Sequence, residues 1–232
     1  MRNSAKIPAL FLLALAACGG AAEPSARRPE AAPVVAALAS PSGPGSEELR
    51  AGRLEQARSR YESVLAQDPE RLSALNDLAV SYALEDRRDA ARSLLDEVVA
   101  HGTSRDQVLA LVNLGELYAL DGYLTAAQAH LETARSIDPL RAEPVYALAL
   151  LADARGDRAG AAALAREALR LDESGGARAR LAYLRGEERT HLEALLAEAR
   201  GDREAALARW RELRAGGYPV LAAAAQRHLD QP

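Results

Sequence analysis

Few side chains in this chain are equipped for covalent or acid–base chemistry, and their spacing restricts them further. There is one thiol, Cys18, which excludes an intrachain disulfide and any multi-thiolate metal site. The four imidazoles, His101, His130, His191 and His228, stand apart, and none has a second histidine at helical spacing with which to hold a metal. No nucleophile elbow or dinucleotide fingerprint occurs, and Gly43-Pro44-Gly45-Ser46 lacks the lysine that a phosphate loop needs. Arg155-Gly156-Asp157 and Arg200-Gly201-Asp202 fall where the chain must turn and are read as turn chemistry. The expectation is a protein that is not an enzyme, with no cofactor, no metal and no small-molecule substrate.

The thiol has a different use. Arg2 and Lys6 precede an apolar run from Ile7 to Ala17. As a helix that run would span ~16 Å, about half of the ~30 Å bilayer core. A positive start, a short apolar middle and small residues after it describe a secretory signal. Its end, Leu15-Ala16-Ala17-Cys18, resembles the bacterial lipobox. That resemblance implies cleavage after Ala17 and lipidation of Cys18, whose sulfur forms a stable thioether. It implies an exported protein held in the cell envelope. Gly19, where aspartate would retain a lipoprotein at the inner membrane, points to the outer membrane, facing the periplasm. From Gly19 to Gly45, five prolines break any helix and favour an extended tether. Its apolar piece, Val34 to Leu38, is read as linker, with docking on the first repeat as the alternative.

The rest must be helical. Of the 232 residues 49% are hydrophobic and 27% charged, enough to fold, but aromatics are only 4%. Alanine and leucine dominate, which favours helices over sheets. The net charge of -4 argues against a nucleic-acid partner. Lys6 is the only lysine; the other basic residues are arginines.

From Ser46 onward the sequence repeats. Gly52, Asp86, Gly122, Gly156 and Gly201 are successive turns, at intervals of 34, 36, 34 and 45 residues. Five residues after each comes an alanine: Ala57, Ala91, Ala127, Ala161 and Ala206. Val108–Arg141 carries the pattern most fully, with Leu111, Leu114, Gly115, Tyr118, Gly122, Ala127, Leu131, Ala134 and Pro139. These offsets resemble the tetratricopeptide repeat, a helix-turn-helix of 34 residues. Apolar spacings of three and four support helices independently, at about 46–50, 53–67, 70–84, 87–100, 106–120, 123–137, 140–154, 157–171, 187–199, 202–215 and 218–229. Asp138 is expected to cap the helix that Pro139 begins, and 176–184 to form a short extra helix. The fold class is thus all-α, a tetratricopeptide-type α-solenoid of about five hairpins with a C-terminal capping helix. The chain divides into a signal peptide (1–17), a Pro/Ala-rich tether from Cys18 (18–45), four repeat units (46–175), and an irregular helix, a degenerate unit and the cap (176–232).

The resemblance implies a concave groove, lined by the first helix of each hairpin, that holds peptides or partner helices. By position its lining is Ser73, Asn76, Asp77 and Val80, then Val112, Asn113 and Glu116, then Tyr146, Leu150 and Asp153. Asparagine suits a peptide backbone because it offers both a donor and an acceptor. Capture of a C-terminal carboxylate, as chaperone-binding members do, is not expected without basic groove residues. Ser46–Pro139 holds 10 arginines against 17 acids, whereas Leu140–Pro232 is nearly balanced, with 15 against 14. Within the latter, Arg178, Arg180, Arg185 and Arg189 form a basic cluster, read either as paired surface arginine or as a dock for an acidic partner or anionic headgroups. Trp210 stands at a packing position. The functional expectation is a membrane-anchored scaffold or adaptor whose partners are other envelope proteins or peptides. The alternatives are a pilotin-like or outer-membrane assembly factor, a structural spacer, or an enzyme accessory subunit.

Overall fold

The computed structural model describes residues 37–40, 42–174, 186–217 and 219–230. Among these there are eleven helices and no strand. They are α1 (Ser46–Arg50), α2 (Leu54–Gln67), α3 (Leu72–Leu84), α4 (Arg88–His101), α5 (Ser104–Leu120), α6 (Leu124–Ile137), α7 (Ala142–Ala154), α8 (Arg158–Ser174), α9 (Glu187–Ala199), α10 (Arg203–Ala215) and α11 (Pro219–Leu229). The architecture is a tetratricopeptide-type α-solenoid. No helix among the described residues is long and apolar enough to cross a membrane. Cys18, the signal segment, most of the tether and the expected helix at 176–184 lie outside the described residues.

Each helix packs on its neighbours in sequence, giving the hairpins α3/α4, α5/α6, α7/α8 and α9/α10. The first helices α3, α5 and α7 also touch one another and make a continuous inner face. The α5/α6 hairpin closes tightly because Gly115 has no side chain. A Cβ there would sit 2.8 Å from Leu131 and 3.1 Å from the Ala127 carbonyl. The inter-helix turns need a left-handed residue, which Gly52, Gly122, Gly156 and Gly201 supply at φ of 73–83°. At the remaining turn, the second along the chain, Asp86 takes φ 60° despite its Cβ.

Three helix starts differ from expectation by two residues: α3, which begins at Leu72 rather than 70, and α5 and α7, each of these two for a local reason. α5 begins at Ser104, earlier than its apolar spacing predicts. Thr103 caps it, accepting from the Asp106 amide at 3.4 Å while Asp106 accepts from the Thr103 amide at 3.1 Å. Asp138 does not cap α7. It ends α6, and its Oδ1 accepts from the Leu140 amide at 3.2 Å, so Pro139 and Leu140 form a turn and α7 starts only at Ala142.

Candidate functional site: the inner face of α3, α5 and α7

The inner face is polar where α3 and α5 approach. Asn76 and Asp77 project from α3 and Asn113 from α5, and all three are buried. Asn113 Nδ2 donates to Asn76 Oδ1 at 3.0 Å, and Asn76 Nδ2 donates to Asp77 Oδ1 at 3.1 Å. The three side chains are therefore pre-ordered as one strip.

Across this strip runs the segment Ala37–Ser40, bent at Ala39 and held almost wholly by its main chain. Asn113 Oδ1 accepts the Ala37 amide at 2.8 Å. The Ala37 carbonyl accepts from Asn113 Nδ2 at 3.0 Å and from Asn76 Nδ2 at 2.9 Å. Asp77 accepts two successive donors, the Ala39 amide at 2.7 Å and the Ser40 amide at 3.0 Å, one on each carboxylate oxygen. Arg105 Nη2 donates to the Ala39 carbonyl at 3.2 Å, and Ser46 Oγ to the Ser40 carbonyl at 2.5 Å. Ala37, Leu38 and Ala39 are buried. Leu38 joins the apolar cluster of Leu49, Tyr61, Leu78 and Val80. Ala37 and Ala39 join that of Val108 and Val112. What composition presents as the end of a linker is thus seated on the array.

Burial pushes the Asp77 carboxyl up to about 6, against the hydrogen bonds from Asn76, Ala39 and Ser40 and the charge of Arg105, which hold it down. Ser73 is half-buried on the same face of α3, and Glu116 is buried beyond Asn113. Glu116 and Asn113 line a small apolar hollow together with Val80, Leu84 and Leu117.

The remaining lining positions meet different neighbours. Tyr146 and Leu150 on α7 are fully buried with Trp210. The Tyr146 hydroxyl lies 3.3 Å from His191 Nδ1. Asp153 meets the C-terminal helix, both its oxygens lying 3.0–3.1 Å from His228 Nε2. His228 Nδ1 lies 3.0 Å from Glu198, so the imidazole is the cation between two carboxylates. Its ring stacks on Trp210 with centroids 4.0 Å apart, and Trp210 meets His191 edge-on at 5.5 Å. Burial alone would lower the His228 pKa. The hydrogen bonds and charges of Asp153 and Glu198 outweigh it and raise the value to about 9. His191, fully enclosed, is lowered by burial to about 4.

Of the arginine cluster, Arg178, Arg180 and Arg185 lie outside the described residues. Arg189 bonds Asp172 and Glu193, each at 3.2 Å, and pairs with Glu173. Arg105 is a site residue that sequence reasoning missed. It lies two turns before Asn113 on α5, and only the position of the segment reveals its use. The signal for the His228 cluster is equally absent from local sequence, since its partners are 30 and 75 residues away.

These features can be set against known proteins. Residues 48–115 match the tetratricopeptide repeat family. That span contains the whole α3–α5 strip. Among solved structures, the chain is similar to a thermophilic TPR protein of Thermus thermophilus, at 23% identity and a TM-score of 0.59, covering 80% of this chain and 95% of that one. It is also similar to a chain of the APC/C hetero-tetramer Cut9–Hcn1, at 20% identity and a TM-score of 0.59, covering 81% of this chain but only 36% of that one. At such identities the likeness shows the fold alone. No curated protein matches the chain significantly.

Proposed function

We propose that this protein is a lipid-anchored, non-catalytic scaffold of the bacterial cell envelope that holds non-helical segments of other proteins on the α3–α5 face. The observation that carries this reading is the hydrogen bonding of Asn76, Asp77 and Asn113 to the main chain of the non-helical segment Ala37–Ser40. Tetratricopeptide arrays act as protein-interaction scaffolds, and this strip supplies the donors and acceptors that a backbone requires. The lipobox-like Leu15-Ala16-Ala17-Cys18 supports anchoring through Cys18, at the outer membrane and facing the periplasm. A Pro-rich tether would let the array stand clear of the bilayer.

The test is affinity purification from native membranes after photo-crosslinking, because the array carries no lysine for amine-reactive reagents. The native protein should enrich a small, stable set of envelope proteins, and Asn113→Ala should lose them while remaining folded. Enrichment of nothing by either protein would leave a structural spacer as the reading. Mass spectrometry of the native protein should find lipid on Cys18; a free thiol there removes the anchor.

A further inference from the structure

Ala37–Ser40 is bound as a ligand would be bound, and its form specifies what else fits. Among the described residues, six of the eight hydrogen bonds holding it come from the array's Asn76, Asp77, Asn113 and Arg105, and all address its main chain. Any chain of the same shape can present those groups, so the side chains alone discriminate. Ala37 and Ala39 have 0% and 7% of their surface exposed, which leaves room for nothing larger than a methyl group at either position. Between them Leu38, 1% exposed, fills an apolar pocket. Two consecutive N–H groups must face the Asp77 carboxylate, which excludes proline at either position and repels an acidic residue there.

The direction of the segment is fixed as well: its Ala39 carbonyl lies at Arg105, in the first turn of α5, and its Ala37 amide at Asn113, two turns further on, so a replacing peptide must run the same way.

Resting on the scaffold reading above, we propose that the α3–α5 strip binds peptides of the form small–large aliphatic–small followed by any residue but proline, and that Ala37–Ser40 is the resident ligand which a partner segment of this chemistry replaces. Replacement exchanges like for like. Asn76, Asp77 and Asn113 keep their partners, so no buried polar group is stranded at the end of the exchange. An unlike peptide cannot compete, because the resident segment is present at high effective concentration.

The test uses the full-length chain and a fluorescent peptide copying Pro33–Pro41. In the native chain the resident segment competes, and the peptide binds weakly. Ala37→Pro and Ala39→Pro together remove two donors from the resident and leave every groove side chain intact. This variant should bind the peptide at least about tenfold more tightly, as expected for two stranded acceptors. A peptide carrying proline at the Ala39 position should not bind, nor should the native peptide bind when Asn113→Ala is added to the double variant. A folded double variant with no affinity for the peptide overturns the proposal and makes Ala37–Ser40 a fixed plug. Should the double variant not fold, the native chain decides. Its Ala37 and Ala39 amide resonances should move to disordered positions under excess peptide, and unmoved resonances overturn the proposal. The scaffold reading falls separately. Envelope-protein capture that depends on Asn113 preserves it even if the peptide never binds, whereas loss of both removes it.

Discussion

The α3–α5 face and the packing around α9–α11 are both covered by other parts of the same chain, with opposite chemistry. In front, four non-helical residues lie on a strip of amides and a carboxylate, joined by directional bonds to their main chain. At the back, α11 buries Leu221, Ala224 and Ala225 and places His228 between Asp153 and Glu198, stacked on Trp210. Lifting the front segment would expose polar side chains that water can satisfy, together with the small apolar pocket of Leu38. Lifting α11 would expose apolar surface and separate a compact ion cluster. One repeat geometry therefore yields an exchangeable surface where the first helices present amides, and a permanent closure where they present aromatic and aliphatic side chains. The closure also gives the last hairpin the covered outer face that a solenoid requires.

The sharpest test of that contrast is Trp210→Ala. Trp210 is 1% exposed and touches the rings of both His191 and His228. Its truncation should cost about 3–5 kcal/mol in denaturant unfolding, as large aromatic cavities do. Asn113→Ala, which removes the bonds to Ala37 and Asn76 but leaves little void, should cost about 1–2 kcal/mol. Equal costs would erase the distinction between the two regions.

Acidity should separate the regions by sign. His228 is raised from 6.5 to about 9, so its contribution is complete below about 6.5 and is lost as the pH rises through about 9. His191 is lowered from 6.5 to about 4, so its unfolded form takes up a proton first, and the back region loses stability as the pH falls from 6.5 towards 4. Each shift corresponds to something on the order of 3 kcal/mol. Asp77 behaves oppositely to His191. Its carboxyl is raised to about 6, so its ionised form opposes folding at neutral pH, and the front region gains stability as the pH falls through that value. Hydrogen exchange corrected for intrinsic rates should show α11 loosening and α3 tightening between pH 7 and pH 5. His228→Gln should flatten the alkaline loss and leave the acidic one. Parallel responses in both regions would break the comparison.

The sequence made the array readable and its occupants unreadable, for one physical reason. Helices and turns are encoded locally, by apolar spacing and by the breakers at Gly52, Asp86, Gly122, Gly156 and Gly201, and the observed helices follow the expected spans closely. The early start of α5 was also written locally, as Thr103-x-x-Asp106, but the apolar period hid it. Asn76, Asp77 and Asn113 could be placed on the inner face because helical periodicity fixes side-chain direction. What lies against them is legible only as one of two alternatives for Val34–Leu38, linker or dock. A segment recognised through its amides carries no side-chain signature, and alanine-rich sequence beside prolines reads as tether. Long-range pairs such as His228 with Asp153 leave no local trace either.

The smallest expected effect concerns the scaffold that both regions share. Asp86 is the one non-glycine among the described residues with positive φ, in a turn where the other units use glycine. Asp86→Gly should relieve the left-handed strain of its Cβ, partly offset by the greater freedom that glycine gives the unfolded chain. The pair it loses, Asp86–Arg88 at 2.7 Å, is exposed on the aspartate side and contributes little, and Arg88 keeps Asp121 at 2.6 Å. The net gain should be about 0.5 kcal/mol, visible as a small rise in the melting temperature. Because the turn touches neither the Asn113 strip nor the His228 cluster, peptide affinity and both pH flanks should stay unchanged. A change in either would mean that the turns transmit to the inner face and that front and back are not independent.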